Sequence, residues 1–353
     1  MCWHGVPVSG DSRISRAAVA KTSLRSSANI IMIIAVRYSA IFAAAVLLLS
    51  VSAQAQEPER EFRVYFVGNS VTDTVKYPAL AELAGSRGFK QTWGRHMIPG
   101  SPLFLIWNAS DEKSGFTEPP FGFTKEALAN HQWDAITLQP FDRLLTNKNE
   151  EGVDTEGDLV TVQKFIDQAL PNSPEVQFYI YSRWPRITID GKSAKYDKDA
   201  YRTDVKGIPV GPGTVDDFTG RWERKYTGGW DGTNETRDYF EQLVGEIRRA
   251  NPKMKKPVRM IPVGDIMNEL HQRMKGGEVP GYNSIFQLYK DGIHLNEAGS
   301  YLVGCAFFSV LYGESPVGLP TEPYEVTDQK LAEMIQQTVW EVVSAHPLSG
   351  VGK

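Results

Sequence analysis

Cysteine is nearly absent, with Cys2 and Cys305 the only two in 353 residues. So few thiols exclude a disulfide scaffold and any zinc cluster built from cysteine. Histidine is scarce too, and its six copies form no ligand-like grouping, so neither a required metal nor a cofactor is expected. No sign of charge is in excess: 38 basic residues face 42 acidic ones, for a net charge of −4. Internal repeats, heptads and low-complexity tracts are missing. So is a long apolar loop of the sort that gives a lipase its surface.

One apolar run stands out. Asn29 to Val51 carries Arg37 as its only charge and leads into Ser52-Ala-Gln-Ala55, a small-x-small ending. The pattern is that of a secretory signal with cleavage after Ala55, and translation is expected to begin at Met32. The competing reading is an uncleaved anchor, since Ile30 to Val51 approaches the ~20 residues needed to span a bilayer. Arg37 and the Ala-Gln-Ala ending favour cleavage. Either way the domain is expected outside the cytoplasm, periplasmic or extracellular, with no stable membrane insertion after cleavage. Loss of residues 1–55 removes five basic residues (Arg13, Arg16, Lys21, Arg25, Arg37) and one acidic (Asp11), leaving a net charge of −8. An acidic surface argues against nucleic acid as a partner. Cys305 is then the sole thiol, set in an apolar stretch where a buried structural role is expected.

The rest of the chain alternates strand and helix patterns. Residues 63–67 form a short β-branched and aromatic run that breaks at Gly68, and a helix is expected from Tyr77, with Pro78 in its first turn. Further strands are expected near Gln91 to Ile98, Trp133 to Leu138, Val176 to Ser182 and Val258 to Val263. Helices fall at Leu159 to Leu170 and Arg237 to Ala250. Such alternation predicts a three-layer α/β/α domain, flavodoxin-like, on a central parallel sheet. Ligands then bind beyond the carboxyl ends of the strands, where Ser70, Gly100, Gln139 and Arg183 emerge. Ala109 to Phe123 is expected to be a loop. Residues 186–236 are expected to form an insertion containing Trp222, Tyr226 and Trp230, and residues 321–353 a C-terminal helix and tail packed on the domain.

A serine alcohol needs a general base and donors aimed at the oxyanion formed by its attack. Ser70 ends the strand-to-turn segment Gly68-Asn-Ser. His294 is the best base available, and Asp291, three residues earlier, can fix its tautomer. Asn296 reads as the cap of a closing helix, with Ala298, Leu302 and Cys305 inward and Gly299 and Gly304 permitting close packing.

Gly68-Asn-Ser70, the glycine after the second strand, an amide after the third and Asp291-x-x-His294 before the last helix resemble the SGNH (GDSL-type) hydrolases over most of residues 61–313. The resemblance implies Ser70 as nucleophile, His294 as base and Asp291 as its partner, with an oxyanion hole from the backbone of Ser70 and Gly100. Two departures stand out. Asn69 replaces the usual aspartate, and Gln139 occupies the place of the expected asparagine, offering the same amide on a longer stem.

Arg183 and Trp184 follow the fourth strand and are candidate substrate contacts by hydrogen bonding and stacking, or equally a cation packed on a core-edge aromatic. His96 is weighed as a pocket-lining or a packed residue, with packing favoured. Trp222 and Trp230 invite stacking on sugar, or equally anchor a lid to its own domain. Asp216-Asp217 and Glu150-Glu151 read as solvated loop charge and not as a glycosidase pair. Together these residues predict an exported serine esterase acting on a small-molecule or glycan ester through an acyl-serine, most naturally a carbohydrate O-acetyl ester. An O-acyltransferase and a weakly active or non-catalytic carbohydrate-binding protein remain as alternatives.

Overall fold

The hydrophobic run after Glu61 makes the middle of a sheet. Val64, Tyr65, Phe66 and Val67 are all fully buried, as expected of a parallel strand covered on both faces. The computed structural model describes residues 60–189, 192–193 and 218–352. The expected leader and cleavage site, and the segment 194–217 of the insertion, lie outside them. The strands are β1 (Arg60–Gly68), β2 (Phe89–Met97), β3 (Phe116–Thr117), β4 (Ala135–Leu138), β5 (Gln177–Tyr181), β6 (Thr188–Ile189), β7 (Lys192–Ser193) and β8 (Arg259–Ile261). Six of them form one sheet in the order β3-β2-β1-β4-β5-β8. All pairs are parallel except the short edge pair of β2 with β3. The chain winds outward to β2 on one side of β1 and to β4, β5 and β8 on the other. The switch between β1 and β4 opens a crevice at their carboxyl ends, where such sheets bind ligands.

The helices are α1 (Tyr77–Gly85), α2 (Leu103–Glu112), α3 (Thr124–Asn130), α4 (Asp158–Ala169), α5 (Phe218–Trp222), α6 (Arg237–Ala250), α7 (Val263–Lys275), α8 (Glu297–Tyr312) and α9 (Gln329–Ala345). Helices α1, α7, α8 and α9 pack among themselves, as do α2, α3, α4 and α6. With the sheet between them they make the three layers of an α/β/α fold. Helix α8 is buried nearly all round. Gly304 lets it approach the tail, for a Cβ there would lie 2.2 Å from the Tyr324 hydroxyl. That hydroxyl donates to the Val75 carbonyl at 2.6 Å, fixing residues after α8 against the turn beyond β1. At the far edge of the sheet, the Met260 N–H in β8 donates to the Leu348 carbonyl of the C-terminal tail at 2.9 Å.

The structure departs from the sequence expectation between β2 and β4 and again after β8. The expected loop 109–123 begins as the last turn of α2 and contains β3. Leu103, Phe104 and Ile106 bury one side of α2, and its polar C-terminal turn continues to Lys113, which stops it in the left-handed region at φ 52°. Helix α7 also follows β8 with only Pro262 between them, so one apolar run, 258–263, serves two elements.

After β5 the chain runs extended against the loop that precedes α8. The Trp184 indole N–H donates to the Ile293 carbonyl, the Tyr289 hydroxyl to the Pro185 carbonyl and the Ile187 N–H to the Gly292 carbonyl, each at 2.8 Å. Trp184 is fully buried, so its loss leaves a carbonyl without its partner. Trp184→Phe is therefore expected to lower stability by ~1–3 kcal/mol. Hydrogen exchange should quicken first across 289–295; a uniform change along the chain would contradict this clamp.

Asp158 opens α4 and is fully buried. Burial pushes its carboxyl up to about 7, against the pull of the Tyr239 hydroxyl, which donates to Oδ2, and of the Arg143 and Arg183 charges. Its other oxygen has no partner among the described residues. The folded value lies above the unfolded one, so the proton's contribution to stability is complete below about pH 4 and is lost as pH rises through about 7. Asp158→Asn keeps an acceptor for Tyr239 and abolishes the titration. Denaturant unfolding is expected to show the variant gaining on the wild type between about pH 4 and about pH 7, whereas a pH-independent difference would refute the assignment.

Candidate active site

Strand β1 delivers Ser70 through a turn that cannot widen. A Cβ on Gly68 would sit 1.9 Å from the Thr72 hydroxyl and 3.0 Å from the Gln139 Cβ, so glycine is required by space at this position. Asn69 is fully buried and ties the turn at both ends. Its Oδ1 accepts the Val71 N–H at 3.0 Å and its Nδ2 donates to the Ser101 carbonyl at 3.1 Å. The second bond explains the asparagine: a carboxylate there has no N–H to give and would face a carbonyl oxygen. Asn69 thus joins the serine turn to the Gly100-Ser101 segment after β2, a role that sequence reading did not assign.

The second half of the site comes from the loop before α8. Asp291 Oδ1 accepts the N–H groups of Ile293 and His294, both at 2.8 Å, which folds the loop back on its own carboxylate. Asp291 Oδ2 lies 2.8 Å from His294 Nδ1. His294 Nε2 lies 2.9 Å from Ser70 Oγ. Asn296 caps α8 by accepting the Gly299 N–H at 3.1 Å, so the loop is held from behind by the helix and from the side by Trp184 and Tyr289.

These distances fix the direction of the protons. Partial burial pushes the Asp291 carboxyl up, but the Ile293 and His294 N–H groups and the His294 ring outweigh it and hold it below the usual carboxylate range. An ionised carboxylate only accepts. The His294 proton therefore sits on Nδ1, donated to Asp291, and Nε2 is left as the acceptor for the Ser70 hydroxyl. That is the arrangement in which an imidazole can withdraw a proton from an attacking alcohol.

The other expected site residues are placed as follows. Gly100 is exposed in the left-handed region at φ 66°. Neither its N–H nor that of Ser70 is spent on a partner among the described residues. Gln139 is fully buried, its Nε2 donates to the carbonyl of the adjacent Pro140, and its Oε1 has no partner among the described residues. Its amide is therefore turned back on its own loop. Arg183 and Trp184 are buried as well. Arg183 bonds Glu235 and Asp142 and lies over the Phe141 ring. Arg186 and Arg221 complete this network on the same two carboxylates. Both candidates thus hold the floor of the crevice and present no free face to a substrate. Burial of a polar side chain is not written in local sequence, and a pair of apolar and charged residues after a strand looks alike in either role.

His96 is a packed histidine, with Nδ1 at 2.9 Å from the Thr124 hydroxyl and Nε2 at 2.7 Å from the Ser114 carbonyl. Trp222 is fully buried and donates to Asp265 at 3.1 Å. Trp230 is 60% exposed.

No family model and no curated protein matches the sequence. Among solved structures, the fold is similar to that of a DUF4886 family protein from Bacteroides uniformis ATCC 8492, at 15% identity and a TM-score of 0.50, covering 81% of this chain and 95% of that one. A possible lipase from Chitinophaga pinensis DSM 2588 aligns at 12% identity and a TM-score of 0.39, over 71% of this chain and 97% of that one. At such identities the likeness to the first supports the α/β/α fold and carries no reaction with it, and the second adds nothing to that.

Proposed function

We propose that the protein is a serine ester hydrolase of the SGNH (GDSL-type) kind, exported, and acting on an acylated carbohydrate from which it removes a small acyl group such as acetate. The observation that carries the reading is the continuous relay from Asp291 through His294 to Ser70, with contacts of 2.8 and 2.9 Å. Ser70 Oγ attacks the ester carbonyl while His294 Nε2 takes its proton. The tetrahedral oxyanion faces the Ser70 and Gly100 N–H groups. As it collapses, the C–O bond to the alcohol breaks and His294 returns the proton to the leaving oxygen. Water, deprotonated by the same nitrogen, then attacks the acyl-serine and releases the acid with Ser70 restored.

The reading is tested by hydrolysis of p-nitrophenyl acetate by a chain beginning at Gln56. Ser70→Ala and His294→Ala are each expected to lose at least ~10⁴ in kcat/KM while remaining folded by circular dichroism. Variants as active as the wild type would place the chemistry elsewhere.

The turned amide of Gln139 favours a hole built of two backbone donors. Gln139→Ala should then retain turnover within about threefold, whereas loss of a true oxyanion donor costs ~10²–10³. A fall of that larger size in kcat, with KM kept, would return Gln139 to the hole.

A further inference from the structure

Two tryptophans of the same insertion meet opposite fates. Trp222 is fully buried, and its ring fills the space that a Cβ on Gly264 would need. Trp230 stands out at 60% exposure although its loop is firmly built. Glycines at positive φ bracket it, Gly228 at 80° and Gly232 at 81°. Asp231 locks the turn by accepting the Thr233 N–H at 3.1 Å and the Thr227 hydroxyl at 2.9 Å, and the Thr227 hydroxyl in turn accepts the Gly229 N–H at 3.1 Å. An indole held up on an ordered turn presents a fixed, flat apolar face with a polar edge to a ligand beside it.

The neighbours of Trp230 place it by the crevice. The Arg143 guanidinium lies 4.4 Å from the centre of the Phe104 ring and 5.7 Å from that of Trp230. Arg143 stands a few residues beyond Gln139, whose N–H bonds the Val67 carbonyl in β1. Phe104 follows Ser101, which accepts from Asn69. One therefore springs from a segment bonded to the end of β1, the other from a segment bonded to the serine turn. The Arg143 Nε is buried without a partner among the described residues.

We propose that Trp230 and Arg143, backed by Phe104, form a subsite for a neutral pyranose ring of the alcohol part of the ester. This rests on the esterase reading for its place in the reaction, but not for its binding. An apolar plate bordered by a guanidinium suits a polyol with one C–H face; a hydrocarbon chain would offer Arg143 no acceptor. The sugar stacks on the open indole face, and its ring hydroxyls accept from the Arg143 guanidinium. The loop beyond Arg143 carries Glu150, Glu151, Asp154 and Glu156, and Glu156 lies 3.8 Å from Arg143. That carboxylate crowd disfavours an anionic sugar.

The test uses the full mature chain carrying Ser70→Ala, so that binding is read without turnover. Calorimetric titration with acetylated xylohexaose is expected to show Kd weakened about tenfold by the additional Trp230→Ala, while Trp230→Phe keeps most of the affinity. Equal affinity in the Ser70→Ala protein with and without Trp230, or no binding to it at all, overturns the subsite even if the wild type hydrolyses simple esters. A galacturonic acid oligomer bound more tightly than the neutral one overturns the neutral-sugar assignment. Conversely, Trp230-dependent binding in a protein whose wild type splits no ester leaves the subsite standing and removes the esterase reading.

Discussion

A loop of a few residues must hold an imidazole and a carboxylate against a serine that reaches it from the far end of the chain, and much of the surrounding architecture serves that demand. The loop has little internal structure of its own. Asp291 folds it by accepting two backbone N–H groups, and the rest of its shape is imposed from outside. Helix α8, capped by Asn296, fixes one end, while the segment after β5 fixes the flank through the Trp184 indole and the backbone of Ile187. The serine side is equally tight, since Gly68 leaves no room for a side chain and Asn69 spends both ends of its amide on neighbouring backbone. Hydrogen bonds of this length tolerate little misplacement, so each half of the relay is braced before the two meet.

Beneath this crevice lies a knot of charge. Glu235 takes Arg183 and Arg221, and Asp142 takes Arg183 and Arg186. The Arg183–Glu235 pair is buried on both sides; such a pair adds little net stability over apolar packing, but breaking one member leaves an uncompensated charge. Their service is geometric: they bind the turn after β4, the segment after β5 and the described end of the insertion into one floor. Asp158 shows the other side of the same physics. It is buried nearby with a single hydrogen bond and keeps its proton to about neutral pH.

What the sequence disclosed follows from the range of the interactions involved. Strand β1 and helix α6 are set by local periodicity, and both lie where the pattern places them. Asn296 reads as a cap because its partner is three residues away. The order of elements is enough to bring Ser70, Asp291 and His294 to one end of the sheet, because a parallel α/β sheet leaves few alternatives. Side chains whose fate depends on distant neighbours were harder to place. Gln139 is drawn to the carbonyl beside it, Arg183 is sunk by an acidic residue from the insertion, and the two tryptophans of that insertion are told apart only by what packs on them. Helix α2 was not anticipated, and its last turn is polar and so resembles the loop it leads into.

The two margins of the sheet are both closed, by different means. On one side β3 lies antiparallel on β2 for only two residues. On the other the C-terminal tail lends the Leu348 carbonyl to β8 after crossing from α9. An open row of strand amides templates the addition of further chains, and here one row is cut short and the other is occupied by the molecule itself. The final residues thus act as a built-in competitor for the edge, and a chain clipped before them would expose a sticky border on an otherwise intact fold.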